Sequence, residues 1–161
     1  MSFKIMADNN QEISAKQDGA LYNVALNDTD LIIAGLGDEF ALSRSGLIVT
    51  VGTGEAIIHG RHVTAYEENQ ITLPTNESGY LVLRIDLSQP LGQEATLYAT
   101  PTLAHQEINW GGTIYDMPLA TFTTSSTSIT LFQDARNIAS KTQSVKFELI
   151  GTTLYITTEN S

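Results

Sequence analysis

Cysteine is absent from the 161 residues, so neither a disulfide framework nor thiolate chemistry is open to this chain. Basic residues are scarce. Eight lysines and arginines stand against eighteen aspartates and glutamates, a formal net charge of −10. That balance excludes nucleic acid and anionic membrane as expected partners, because both require a positive footprint. No apolar stretch approaches the length that spans a bilayer. The first residues, Met1 to Asp8, lack a secretory apolar core, so the expectation is a protein made and folded in a cytoplasm. Long helical periodicity, internal repeats and interdomain linkers are missing as well. What remains is 42% hydrophobic residues, enough for one β-rich domain over 1–161 with a packed core.

The stretch around which the chain is organised runs from Val51 to Val63, Val-Gly-Thr-Gly-Glu-Ala-Ile-Ile-His-Gly-Arg-His-Val. It reads as a hairpin turning at His59-Gly60, pairing Ile58 with Arg61, Ile57 with His62 and Ala56 with Val63. Side chains alternate along a strand, so Gly54, Ala56, Ile58, Val63 and Ala65 share one face. Glu55, Ile57, His62, Thr64 and Tyr66 share the other. Gly60 sits where a two-residue loop requires a positive φ. A phosphate-cradling loop would need a following helix and a lysine with serine or threonine, and neither is present.

The rest of the chain reads as short strands separated by turn residues. Phe3–Ala7 alternates and runs into a turn at Asp8–Gln11. Leu21–Leu26 is an apolar run of open type, broken by Asn27-Asp-Thr-Asp30. Leu31–Ala34, Phe40–Leu42, Leu47–Val51 and Gln70–Leu73 are strand candidates, with Ser43–Gly46 as a connection. Tyr80–Leu87 is the clearest strand, with Leu81, Leu83, Ile85 and Leu87 on one face. Glu94–Thr100 reads as its antiparallel neighbour. Strands are expected on either side of Met117-Pro118 and at Ser128–Phe132. Asp134–Ala139 is a helical turn capped by Asp134, or a loop. Val145–Thr157 is a second hairpin turning near Gly151-Thr152. These elements predict an all-β fold, an antiparallel β-sandwich or barrel-like single domain with at most short helical turns.

Chemistry-bearing constellations are weak. His59 and His62 could hold a metal with Glu55 or Glu67, but the spacing is not that of a zinc site, and turn and surface histidines are the expectation. The pairs Asp38-Glu39 and Glu67-Glu68 cannot face each other across a cleft, because neighbours in a strand point to opposite faces. Ser43-Arg-Ser-Gly46 lacks the pattern of a nucleophile elbow. No catalytic residue, metal or cofactor is therefore expected. The one recognition candidate is Glu107–Asp116, where Trp110, Tyr115 and Asp116 could present an aromatic platform and a carboxylate to a glycan. The plainer expectation is that Trp110 plugs the end of the sandwich or packs on another subunit.

Gly52–Val63, with Ile71-Thr-Leu-Pro74 and Ser78-Gly-Tyr-Leu-Val-Leu-Arg-Ile-Asp86, resembles tail-appendage proteins of tailed bacteriophages. More narrowly, it resembles minor structural, baseplate or receptor-binding proteins of phages and prophages of Gram-positive bacteria. The resemblance covers about residues 45 to 120 and extends more weakly to Phe147–Ile156. It implies a non-enzymatic virion component of the tail tip or baseplate, commonly trimeric. Such a component is a connector or receptor-binding module contacting other tail proteins and host cell-wall glycan. A stand-alone carbohydrate-binding module is the alternative, and it requires Trp110 exposed beside a groove. Self-association is also expected from Leu21–Leu26 and Leu31–Ala34, which read as buried without an evident partner face, and the resemblance implies that it is threefold, a homotrimer.

Overall fold

Helix α1 (Ala15–Ala25) is where the described chain begins: the computed structural model describes residues 15–139, 143–150 and 153–160. The expected strand at Phe3–Ala7, the turn at Asp8–Gln11 and the tip at Gly151-Thr152 lie outside them. Asp18 stands in the first turn of α1, where a carboxylate complements the helix dipole. The helix stops because Asn27 adopts a left-handed φ of 54°. The Asn27 amide then donates to the Val24 carbonyl at 3.1 Å and the Asp28 amide to that of Asn23 at 2.9 Å, the paired bonds of a Schellman cap. The expectation that Leu21–Leu26 is buried is overturned. Leu21 is 67% and Val24 79% exposed, because the helix packs by Gly19 and turns its apolar side outward.

Strands β1 (Leu31–Gly37), β2 (Leu42–Ser45), β3 (Ile48–Val51), β4 (Gly54–Ile58), β5 (Arg61–Ala65) and β6 (Asn69–Thr72) follow. Ser43–Ser45 is strand rather than connection, since Ser45 pairs with Ile48 around a two-residue loop. The β4–β5 register pairs Ile58 with Arg61, Ile57 with His62 and Ala56 with Val63, as the sequence predicts. Gly54 lacks a side chain because the Phe40 ring occupies that space, 2.8 Å from where a Cβ would stand.

The second half comprises β7 (Ser78–Asp86), β8 (Ala95–Thr100), β9 (Ile114–Thr124), β10 (Ile129–Asp134), β11 (Ile138–Ala139), β12 (Gln143–Ile150) and β13 (Thr153–Asn160). β7 and β8 pair antiparallel as expected. β9, however, is one strand running through Pro118 rather than two flanking it. Proline survives there because the β7–β9 register shifts between Leu81 and Val82, a bulge at which a ladder donor is not required. Asp134–Ala139 is not a helical turn, and only 135–137 are loop: Asp134 ends β10, its Oδ1 accepts from the Arg136 amide at 2.9 Å, and Ile138–Ala139 forms β11, parallel to β1. In the last hairpin the register sets Phe147 across from Ile156 and Leu149 across from Leu154.

Strand makes up 52% of the chain and helix 7%, so the fold is all-β and sandwich-like, with no closed barrel among the described residues. The sheets run β11-β1-β4-β5, β10-β9-β7-β8 and β2-β3-β6, with β12-β13 as a two-stranded pair. Leu81, Leu83 and Ile85 of β7 meet Ile32, Ala56 and Ile58 of the first sheet and Val49 and Val51 of the third in one buried cluster. Each fully buried aliphatic side chain contributes roughly 1.5–3 kcal/mol. Leu31–Ala34 therefore has its partner face within the chain, with Ile32 fully buried between β4 and β11.

Candidate functional site

Polar side chains gather where the β4–β5 turn meets the start of β1, the start of β9 and the loop before it. The turn places His59 at φ 47° and Gly60 at φ 79°, the two left-handed positions of a type I′ loop. His59 lies in the turn as expected but is only 4% exposed, so the expectation of a surface histidine is corrected. Its amide donates to Asp30 Oδ1 at 2.8 Å, and its carbonyl accepts from Asn109 Nδ2 at 2.9 Å. Nε2 stands 2.6 Å from Glu107 Oε1. Nδ1 lies 3.3 Å from Asp28 Oδ1 without a hydrogen-bonding alignment. The ring stacks on Tyr115 at a centroid distance of 4.6 Å, and His105 stacks on the same tyrosine at 4.9 Å.

Asp30 and Tyr115 lie together inside this cluster and shift each other's titration. Burial pushes the Asp30 carboxyl above the usual carboxylate range, although the His59 amide and the Tyr115 hydroxyl pull the other way. Burial first, and then the negative charge of Asp30, raise the Tyr115 phenol well above its ordinary value, so it remains a donor. Both nitrogens of His59 face carboxylates, and its ring is covered by Tyr115. This geometry fastens the ends of two sheets together.

The three predicted recognition residues do not share one surface. Trp110 is 72% exposed, at a turn where its amide donates to the Glu107 carbonyl at 3.0 Å. Tyr115 is half-buried between two imidazoles. Asp116 is fully buried on the opposite face of β9. Its two oxygens take Arg84 Nε at 2.7 Å and Nη2 at 2.9 Å, and Oδ2 also accepts the Ala104 amide at 2.8 Å. Arg84 lies over the Tyr98 ring at 3.9 Å, and its pKa is raised chiefly by the Asp116 hydrogen bonds. Asp116 thus has no surface to offer a ligand.

The histidine pair considered for a metal is split. His62 is exposed on the outer face and bonds Glu55 Oε2 at 2.7 Å, whereas His59 turns inward. Among the described residues no group of three or more histidine, aspartate or glutamate side chains could hold a metal ion. Asp38 and Glu39 have separate local roles: Asp38 Oδ2 accepts from Thr53 Oγ1 at 3.0 Å, and Glu39 Oε1 from the Gly35 amide at 2.6 Å. That Asp30, Glu107, Asn109 and Arg61 gather around His59 escaped the sequence reading. The one signal available was a histidine at a loop position that demands positive φ, where Asn, Asp or Gly is usual.

A groove of about 810 Å³ lies nearby, bordered by α1, β5 and the β7–β8 turn, and Trp110 does not line it. No protein-family model and no curated protein matches this chain.

Proposed function

We propose that this chain is a non-enzymatic virion component of a phage tail tip or baseplate, a connector or receptor-binding module in host attachment. The observation that carries the reading is the sequence resemblance of Gly52–Val63, Ile71–Pro74 and Ser78–Asp86 to tail-appendage proteins. These segments cover β4, the first part of β5, the end of β6 and the whole of β7. The non-enzymatic part draws support from the polar cluster, in which His59 and Asp30 are engaged in holding the fold. The reading also includes self-association as a trimer. The outward face of α1, with Leu21, Tyr22 and Val24, supplies apolar surface for contact.

Antibody raised against the whole chain and coupled to gold is expected to decorate the tail tips of particles released from the source lysogen. Label confined to the soluble lysate, with bare particles, would overturn the reading. Light scattering coupled to size exclusion is expected to show about three times the chain mass. A clean monomer, unchanged at higher concentration, removes the trimer.

The carbohydrate-binding alternative draws on one observation, the exposure of Trp110. As the single tryptophan, Trp110 gives an unambiguous fluorescence signal. Titration with N-acetylglucosamine oligomers should shift its emission in the native chain under this alternative, and a flat titration counts against it.

A further inference from the structure

Among the described residues, the hydrogen bonds of β5 leave one side of that strand unused. A two-residue loop at His59-Gly60 bonds Ile58 to Arg61, and the pairs bonded to β4 then alternate as Ala56 with Val63 and Gly54 with Ala65. The amides and carbonyls of His62 and Thr64 point away from β4. Among the described residues β5 is the last strand of its sheet, so no strand receives them. The 810 Å³ groove runs along this edge, with Ile85 and Leu87 on its far wall and Gly19 and Tyr22 of α1 at one end.

Arg61 and Val63 share one side of β5, and they line the groove together with His62 and Thr64 of the other. Among the described residues the buried Arg61 Nε has no hydrogen-bond partner, and Nη2 reaches only the Ile108 carbonyl at 3.5 Å. No ion pair includes it among the described residues, and burial alone moves its pKa below the ordinary arginine range. Two of the three carboxylates lining the groove are engaged, Glu55 with His62 and Glu94 with the Gly92 amide. A half-buried guanidinium without a counter-charge is complementary to an incoming acid.

We propose that the free edge of β5 docks an extended strand of a partner protein, which bonds to His62 and Thr64 and turns into the groove a carboxylate for Arg61 and, two residues away, an aliphatic side chain for Val63. Strand addition takes its affinity from backbone bonds and its specificity from alternate side chains. The competing role for Arg61 is that of a charge guarding an edge against pairing.

The test uses the whole chain and random displayed peptides of about ten residues, the usual upper length of a strand. Enriched peptides are expected to share an acid and an aliphatic residue two apart. They should lose about tenfold or more in affinity for Arg61→Gln and for Thr64→Pro, which removes an outward donor but no β4–β5 bond. In the wild-type chain they should slow hydrogen exchange at the His62 and Thr64 amides, a readout that stands even if the proline variant fails to fold. Absence of enrichment, peptides without the acid, or unprotected amides would overturn the proposal. Self-association of Arg61→Gln through β5 would assign that residue to edge protection and overturn it equally.

Discussion

Tyr115 and Asp116 are neighbours in β9, yet they anchor polar clusters of different completeness on opposite faces of one strand. On the Asp116 side the carboxylate is matched by a bidentate guanidinium and a backbone amide, with no orphaned atom in the pair. On the Tyr115 side the cluster holds two sheets together but leaves His59 Nδ1 without a hydrogen bond. Asn23 Oδ1, Arg61 Nε and Asn109 Oδ1, in the adjoining α1 contact, are orphaned as well. A closed network resists change at any member. An open one tolerates loss of a side chain but depends on the backbone that brings its members together.

Asp116→Ala should therefore be the most damaging substitution, about 3–5 kcal/mol, because it strands Arg84 and the Ala104 amide. Chemical denaturation followed by circular dichroism measures this, and a loss under about 1 kcal/mol would show that the pair is dispensable. Gly60→Val comes next, at about 2–5 kcal/mol. A β-branched residue is strained at φ 79°, and its Cβ would collide with the Gly19 carbonyl. His59→Ala should cost less, roughly 1.5–3 kcal/mol, since the backbone bonds to Asp30 and Asn109 survive. Equal melting temperatures for the two variants would mean that the close approach of α1 does not constrain the turn.

The pH response sharpens the contrast. Asp30 has its carboxyl pKa raised by burial, so the folded protein binds this proton more tightly than the unfolded chain does. Its stabilising effect is full below the ordinary aspartate value and is lost as pH rises through the raised one. Melting temperatures across that window should therefore decline relative to those of Asp30→Asn, which has no proton to lose. A constant offset between the two would place the Asp30 carboxylate in solvent. The smallest effect belongs to His62→Ala, within about 0.5 kcal/mol, because its Glu55 partner is met on the surface.

The β4–β5 register was legible because a two-residue loop and strict alternation are local facts. The aliphatic stripe of β7 was legible for the same reason. Pro118 misled because the bulge that accommodates it lies in the pairing with β7, which local sequence does not display. His59 misled more completely. Asp30 is 29 residues away, Glu107 48 and Asn109 50, so nothing beside the turn announces that its imidazole is buried. Leu21–Leu26 was legible as apolar, but burial does not follow from apolarity when the contact is made by Gly19 and Gly60.

The reversed seating of α1 has a thermodynamic consequence. Leu21, Tyr22 and Val24 already face solvent, so releasing the helix uncovers little additional apolar area. Denaturant sensitivity and heat-capacity change both scale with newly exposed surface. Opening of α1 alone should thus carry an m-value near zero. Its amides would exchange at rates that urea scarcely alters, while those of β7 follow the steep dependence of global unfolding.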